Sequence, residues 1–346
     1  MTQKLFKPFI SETARTNVQR VLLTDAIAEG EEVKLFEKEF GEKFNKTNVV
    51  AVNSGTSALE LAYELAGIGE GDEVIVPILT CTATAIPLIR RKAKIVFADI
   101  DRDLNINIQD VKNKITDKTK AIVFVHFGGN NRGLTDIIEL ARDRGIIVVE
   151  DAAQAVGSEC WGISDFTCVS LQAIKTLTAG DGGFLLTKNE EDYKKAKRLR
   201  WFGYDREEKQ RLGDIDLTEA GYKYHMNNIT AAIGRGNLAE IDTPLAHRKL
   251  IGDIYKLNGL FAHAWLAGIV TPFRDLLRAK LAEAGYESGM HHYRLDKYTL
   301  FKEFKSPCPI MDELENQYLF VPYHHAVTPV EALAITRIVK KYGQVQ

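Results

Sequence analysis

Cysteine is scarce in this sequence. Cys81, Cys160, Cys168 and Cys308 are the only four in 346 residues, and no two form a CxxC pair. So few in so long a chain do not make a disulfide framework and fit reduced thiols in a cytosolic enzyme. Charge of either sign is not in excess: 45 Lys and Arg face 47 Asp and Glu, for a net charge of −2. There is no electrostatic case for nucleic acid or an anionic membrane surface. No apolar run is long enough to span a bilayer. The best candidate, 80–89, is short and runs into Arg90-Arg91-Lys92. Residues 1–8 lack the apolar stretch of a signal peptide, so the expected location is the cytoplasm. Internal repeats and low-complexity linkers are absent.

What is present is ordinary soluble composition, 45% hydrophobic and 27% charged, in a chain long enough for two domains. After an amphipathic segment around 33–40, short apolar runs alternate with helical patterns. Strands are expected at 49–52, 73–77, 94–98, 121–125, 146–150, 167–171 and 183–187. Most are apolar on both faces, as strands covered by helices on two sides must be. Helices are expected at 57–66 and 134–144, the first closed by Gly67. The rhythm is that of an α/β domain with a mostly parallel sheet, expected over 1–237. A long helix at 238–260 would lead into a smaller α+β domain over 238–346, with a further helix at 273–284.

Three segments carry chemistry. Lys175 is the only charged residue between Val169 and Gly180. An amine in apolar surroundings loses hydration, which favours its neutral, nucleophilic form, as a Schiff-base lysine requires. Strand 49–52 runs into Asn53-Ser54-Gly55-Thr56-Ser57 and then a helix. Free backbone N–H groups at such a helix start, with Ser and Thr hydroxyls, suit a phosphate; the same residues also suit a plain N-cap. Neither a Walker-type nor a dinucleotide-type glycine pattern occurs here. Asp151 ends an apolar strand and faces the crevice where ligands of such sheets gather. It can fix the proton of a pyridine nitrogen, cap the residues that follow, or do both. Gln154 can reach a ring hydroxyl one turn on. Ser170, five residues before Lys175, can donate to the same phosphate, and Gly180-Asp181-Gly182-Gly183 makes a tight turn beyond. A phosphate nest, an acid for a pyridine nitrogen and a desolvated lysine are the parts pyridoxal 5′-phosphate (PLP) needs.

With these segments in order, the chain resembles the DegT/DnrJ/EryC1/StrS sugar aminotransferases, of the aspartate aminotransferase-like fold type I. The resemblance rests on Phe36–Phe40, Asn53–Leu59, Gly71–Pro77, Glu150–Ala155, Ser170–Gly183 and Gly221–Gly234. It implies that Lys175 is the catalytic lysine that binds PLP. Asp151 would then pair with the pyridine nitrogen, Gln154 with the ring oxygen, and Gly55, Thr56 and Ser170 with the phosphate. It implies a homodimer with shared active sites, the loop 221–229 serving the neighbour. It also implies glutamate as amino donor, a pyridoxamine 5′-phosphate (PMP) form, and a nucleotide-linked 4-keto-6-deoxy sugar as acceptor. Lysine rather than histidine at 175 favours transamination over 3-dehydration.

Three departures follow. Cys81 stands where an aromatic ring usually stacks on PLP. In the loop, Lys223 replaces an asparagine that reaches the partner's phosphate, and His225 replaces an arginine. The stretch 257–273 is short by about 20 residues for a domain of this kind. His292-Tyr293 matches a His-Tyr pair near the family's substrate. His126 ends its strand, and either lies over the site or caps Gly128-Gly129. The pairs His291-His292 and His324-His325 lack acidic or thiol companions, so no metal is expected. Two other classes compete: a PLP lyase or dehydratase on the same fold, and a non-catalytic PLP or sugar-nucleotide binder.

Overall fold

The computed structural model describes residues 2–213 and 215–343. Seven strands form one sheet: β1 (Val49–Val52), β2 (Glu73–Pro77), β3 (Lys94–Ala98), β4 (Thr119–Val125), β5 (Ile147–Asp151), β6 (Phe166–Ser170) and β7 (Gly183–Thr187). Their order is β1-β7-β6-β5-β4-β2-β3. Only β7 runs against its neighbours. The central strands are parallel, so every connection crosses a face of the sheet.

Those crossovers bury both faces, and the alternation along each strand decides which core a side chain joins. Ala121, Val123, Val125 and Val149 enter one hydrophobic cluster. Ile122, Phe124 and Val148 enter another, on the opposite face with Leu134 and Ile137. This parity later separates two adjacent acids.

The expected elements are found with shifted ends. The helix after β1 begins earlier, at Gly55, and spans Gly55–Leu65. The one after β4 stops at Arg142. The long helix expected at 238–260 begins later, at Asp242, and spans Asp242–Leu257; a separate helix, Asn228–Ala239, precedes it. Pro244, in the first turn of the second helix, marks that start in the sequence, and the expected span ran through it. Beyond it, β8 (Phe261–Ala262), β9 (Ala267–Val270) and β10 (Tyr318–Val321) form an antiparallel sheet. The short stretch 257–273 is folded as the β8–β9 hairpin. Helices Arg274–Glu283 and Pro329–Tyr342 pack with this sheet around Tyr255, Leu277, Leu319 and Ile335. The first residues of the chain pack there: Gln3 N–H donates to the Gly285 carbonyl at 2.8 Å, and His324 Nε2 lies 3.0 Å from the Lys4 carbonyl.

Candidate active site

Strands β1, β5 and β6 end on the same edge of the sheet, and the chemistry collects there. Ser54 caps the helix Gly55–Leu65 by accepting from Ser57 N–H at 3.0 Å. The cap answers one of the helix's first amides and leaves those of Gly55 and Thr56 without a partner inside the helix. Both readings of this turn therefore hold at once: it is capped, and it keeps free donors. Ser170, at the end of β6, closes the other side. A Cβ on Gly55 would sit 2.8 Å from the Ser170 Cβ, so only glycine allows the helix start and the serine to come this close. The result is a small cradle of amides and hydroxyls at a helix N-terminus, which fits a phosphate.

Asp151 is buried at the end of β5. Its Oδ2 accepts from Thr84 Oγ1 at 2.7 Å and its Oδ1 from Ala153 N–H at 3.2 Å. Thr84 Oγ1 lies 2.9 Å from Thr80 Oγ1, and the Thr84 carbonyl accepts from the Tyr63 hydroxyl. The carboxylate is held in place yet retains acceptor capacity. The residues after it form turns and not a helix.

The Lys175 amine lies within electrostatic reach of Asp151 and Cys81. Burial pushes it down to about 8, and the two acidic groups pull partly against that shift. Taken as a whole residue, Lys175 is half-buried. Its Nζ sits 4.1 Å from the centre of the Trp265 ring. A desolvated cation on an aromatic face is worth about 2 kcal/mol, which gives the protonated amine a resting place. Trp265 is itself fixed, stacked on Phe6 at 5.1 Å and donating Nε1–H to the Ile174 carbonyl at 3.0 Å.

His291 lies edge-on to Trp265 at 4.6 Å and 3.9 Å from the His292 ring. Burial, then His292 and Lys175, push His291 down to about 2. Burial and Lys175 push His292 to about 3. Both imidazoles are neutral near pH 7. The Nε2 atoms of both, and Ser288 Oγ, are buried without a partner among the described residues.

Other expected residues are placed differently. Gln154 accepts from Gly128 N–H at 2.6 Å through its amide oxygen, so its amide nitrogen is the atom left to face a ligand. Cys81 starts the helix Thr82–Arg90 and brings no ring to the cleft. Tyr293 is 59% exposed. Lys223 is exposed, beside Asn53, which donates to its carbonyl at 3.2 Å. His225 packs on Trp201 at 3.8 Å, and burial, then Arg206, Lys223 and Arg200, push it down to about 4.

His126 does not lie over the cleft. It shares the parity of Ile122 and Phe124 and points to the far face, where its Nε2 meets Glu150 at 2.8 Å. Nor was its role as a cap found, since its side chain makes no capping bond. Two cleft residues had escaped the sequence reading. Thr84 had a signal, three residues after Cys81 at a helix start. Trp265 had only its isolation as a lone aromatic between small residues in Ala264-Trp265-Leu266-Ala267-Gly268.

A model of the DegT/DnrJ/EryC1/StrS aminotransferase family matches residues 8–340. GDP-perosamine synthase of Escherichia coli O157:H7 is 29% identical over 98% of each chain. The sugar aminotransferase CalS13 of Micromonospora echinospora superposes with a TM-score of 0.90 at 28% identity, over 97% of this chain and 99% of that one. A Streptococcus pneumoniae protein solved in its PMP form superposes at 0.88 with 25% identity, over 99% and 98%. With a lysine, an acid and a phosphate cradle brought to one strand edge, and a family match along nearly its whole length, this chain belongs to the PLP-dependent DegT/DnrJ/EryC1/StrS aminotransferases.

Proposed function

We propose that the enzyme aminates a nucleotide-linked 4-keto-6-deoxy sugar at C4, with L-glutamate as amino donor. The observation that carries the reading is the Lys175 amine, desolvated to about 8 and within reach of Asp151. The similarity to a GDP-perosamine synthase over 98% of both chains supports a sugar acceptor.

PLP, when bound, supplies the electron sink that lets an amino group leave one carbon and arrive on another. The chain supplies the rest. Gly55, Thr56 and Ser170 would hold its phosphate, and Asp151, steadied by Thr84, would keep a proton on its ring nitrogen. Gln154 would orient the ring through its amide nitrogen. Lys175 Nζ, poised near the working pH, takes the proton from the donor's α-carbon and later delivers one to the former ketone carbon. Between these steps Trp265 holds the charged amine. The neutral pair His291 and His292 offers two imidazole nitrogens to the sugar, and Tyr293 stands at the mouth. Lys223 and His225 serve the neighbouring site in a homodimer, where Lys223 acts as a point charge for phosphate.

Loaded with PLP and given nitrogen-labelled glutamate, the protein is expected to release 2-oxoglutarate stoichiometrically. From a panel of dTDP-, UDP- and GDP-4-keto-6-deoxy sugars, one should emerge as a labelled amino sugar, and Lys175→Ala should give none. Release of water or ammonia with no label in any sugar would replace this reading with a lyase or dehydratase. Failure of glutamate to convert the bound cofactor would leave a binder only.

A further inference from the structure

Three arginines are buried among the described residues, Arg200, Arg248 and Arg294. Arg200 is paired with Glu29 and Glu37. Arg294 is paired with Asp296, Asp312 and Glu315. Arg248, 8% exposed, has no carboxylate partner among the described residues. Burying a charge without a counter-ion is costly, and the burial pushes its guanidinium down to about 10.

The guanidinium is satisfied on one side only. Nη1 reaches the Thr176 hydroxyl at 3.3 Å and the carbonyls of Ala264 at 3.1 Å and Trp265 at 3.3 Å. Nε is buried with no partner among the described residues. The side chain lines a groove of about 700 Å³ that runs between the helix Asp242–Leu257 and the turns at 129–131, 157–159 and 262–264. Tyr323 lines it too, its ring 5.3 Å from the guanidinium carbon. A Cβ on Gly252 would come within 2.7 Å of the Tyr323 hydroxyl, so glycine on the helix leaves room for that hydroxyl in the groove. At the rim Lys249 and Lys256 offset Asp253 and Glu159, while Asp242 is paired with Lys43. None of the residues assigned above to PLP lines this groove.

We infer that the groove is an oxyanion site, in which a carboxylate or phosphate group takes Nη2 of Arg248, the nitrogen neither enclosed nor bonded among the described residues, with the Tyr323 hydroxyl as a further donor. A hydrogen bond from a guanidinium to such an anion is charge-assisted, and so stronger than one between neutral groups. The anion would supply the counter-charge the fold withholds. The same guanidinium bonds to the hydroxyl of Thr176, the residue after Lys175, and to the carbonyl of Trp265, whose ring meets the Lys175 amine, so the site adjoins the reaction centre from behind.

The test is calorimetric titration of the PLP-loaded full chain, whose phosphate cradle is filled, with inorganic phosphate and separately with malonate at constant ionic strength. One saturable site per chain is expected for at least one probe. The tighter probe tells a phosphorylated ligand from a carboxylate. Arg248→Lys, which keeps the charge and removes Nη2, should weaken it about tenfold or more, and Tyr323→Phe about threefold. Tyr323→Phe leaves the three Nη1 bonds intact and so guards against loss of fold in the arginine variant. No saturable binding of either probe, or binding unchanged in both variants, overturns the assignment and makes Arg248 a tie between the helix and the lysine loop.

Discussion

Glu150 and Asp151 are consecutive acids at the end of one strand, and the sheet turns them to opposite faces. Glu150 is fully enclosed. Its oxygens accept from the backbone N–H groups of Gly162, Ile163 and Ser164 at 2.7 to 2.8 Å and meet His126 Nε2. Although burial is the largest influence and acts upward, these partners together hold its carboxyl down to about 2. Asp151 has two donors and looks into the cleft toward Lys175. The same functional group is thus saturated on one face, where it ties the loop 162–164 to the sheet, and left with capacity on the other. Unspent acceptor capacity beside a desolvated amine marks the site more clearly than burial or charge alone.

The comparison can be broken most sharply by isosteric amides. Asp151→Asn should cut transamination on the order of a thousandfold, about 4 kcal/mol of barrier, with the melting temperature nearly unchanged. Steady-state kinetics beside a thermal melt checks both halves. Glu150→Gln should do the reverse. Breaking a buried, fully paired charge costs about 3 to 5 kcal/mol of stability, while activity per folded molecule stays within about threefold. A Glu150→Gln protein as stable as its parent would remove the structural role. The depressed carboxyl of Glu150 also carries a sign in pH. Its contribution is complete above the ordinary carboxylate value of 4.5 and is lost as pH falls through about 2. Acid unfolding of Glu150→Gln should therefore be less steep over that window.

Smaller effects sharpen the cleft side. Thr84→Val removes one hydrogen bond to a charged acceptor, worth about 1.5 to 3 kcal/mol, and should lower activity about tenfold or more while PLP still binds. Smallest is the pH dependence of PLP capture by the apo-protein. Only the neutral Lys175 amine attacks, so the capture rate should rise through about pH 8 and level off above it. Trp265→Leu removes a contact that favours the charged amine and should move that midpoint down. A stopped-flow series across pH checks it, and a midpoint near the ordinary lysine value of 10.5 would discard the desolvated amine.

Much of this was legible in the chain itself. The alternation of apolar runs with helical stretches announced the parallel sheet. Lys175 stood alone among apolar residues, and Asp151 ended a strand, where ligands of such sheets bind. His126 was the harder case. Its position at a strand end was plain, yet the face it took depended on its partner, Glu150, 24 residues on. The helix start at Asp242 was legible in Asp242-Thr243-Pro244, yet the apolar pattern carried the expected helix back to 238 across it.

By itself, then, the sequence determined which residues sit at strand ends, which strands are covered on both faces, and which lysine is stripped of charged neighbours. These follow from local spacing and the preference of apolar side chains for burial. Only the tertiary structure decided that Trp265 and the His291-His292 pair, 90 residues and more from Lys175, close around its amine, and that Arg248 is buried without an acid. Such contacts form between segments that are remote in the chain. Their energies depend on what the folded neighbours have already satisfied, which no local pattern records.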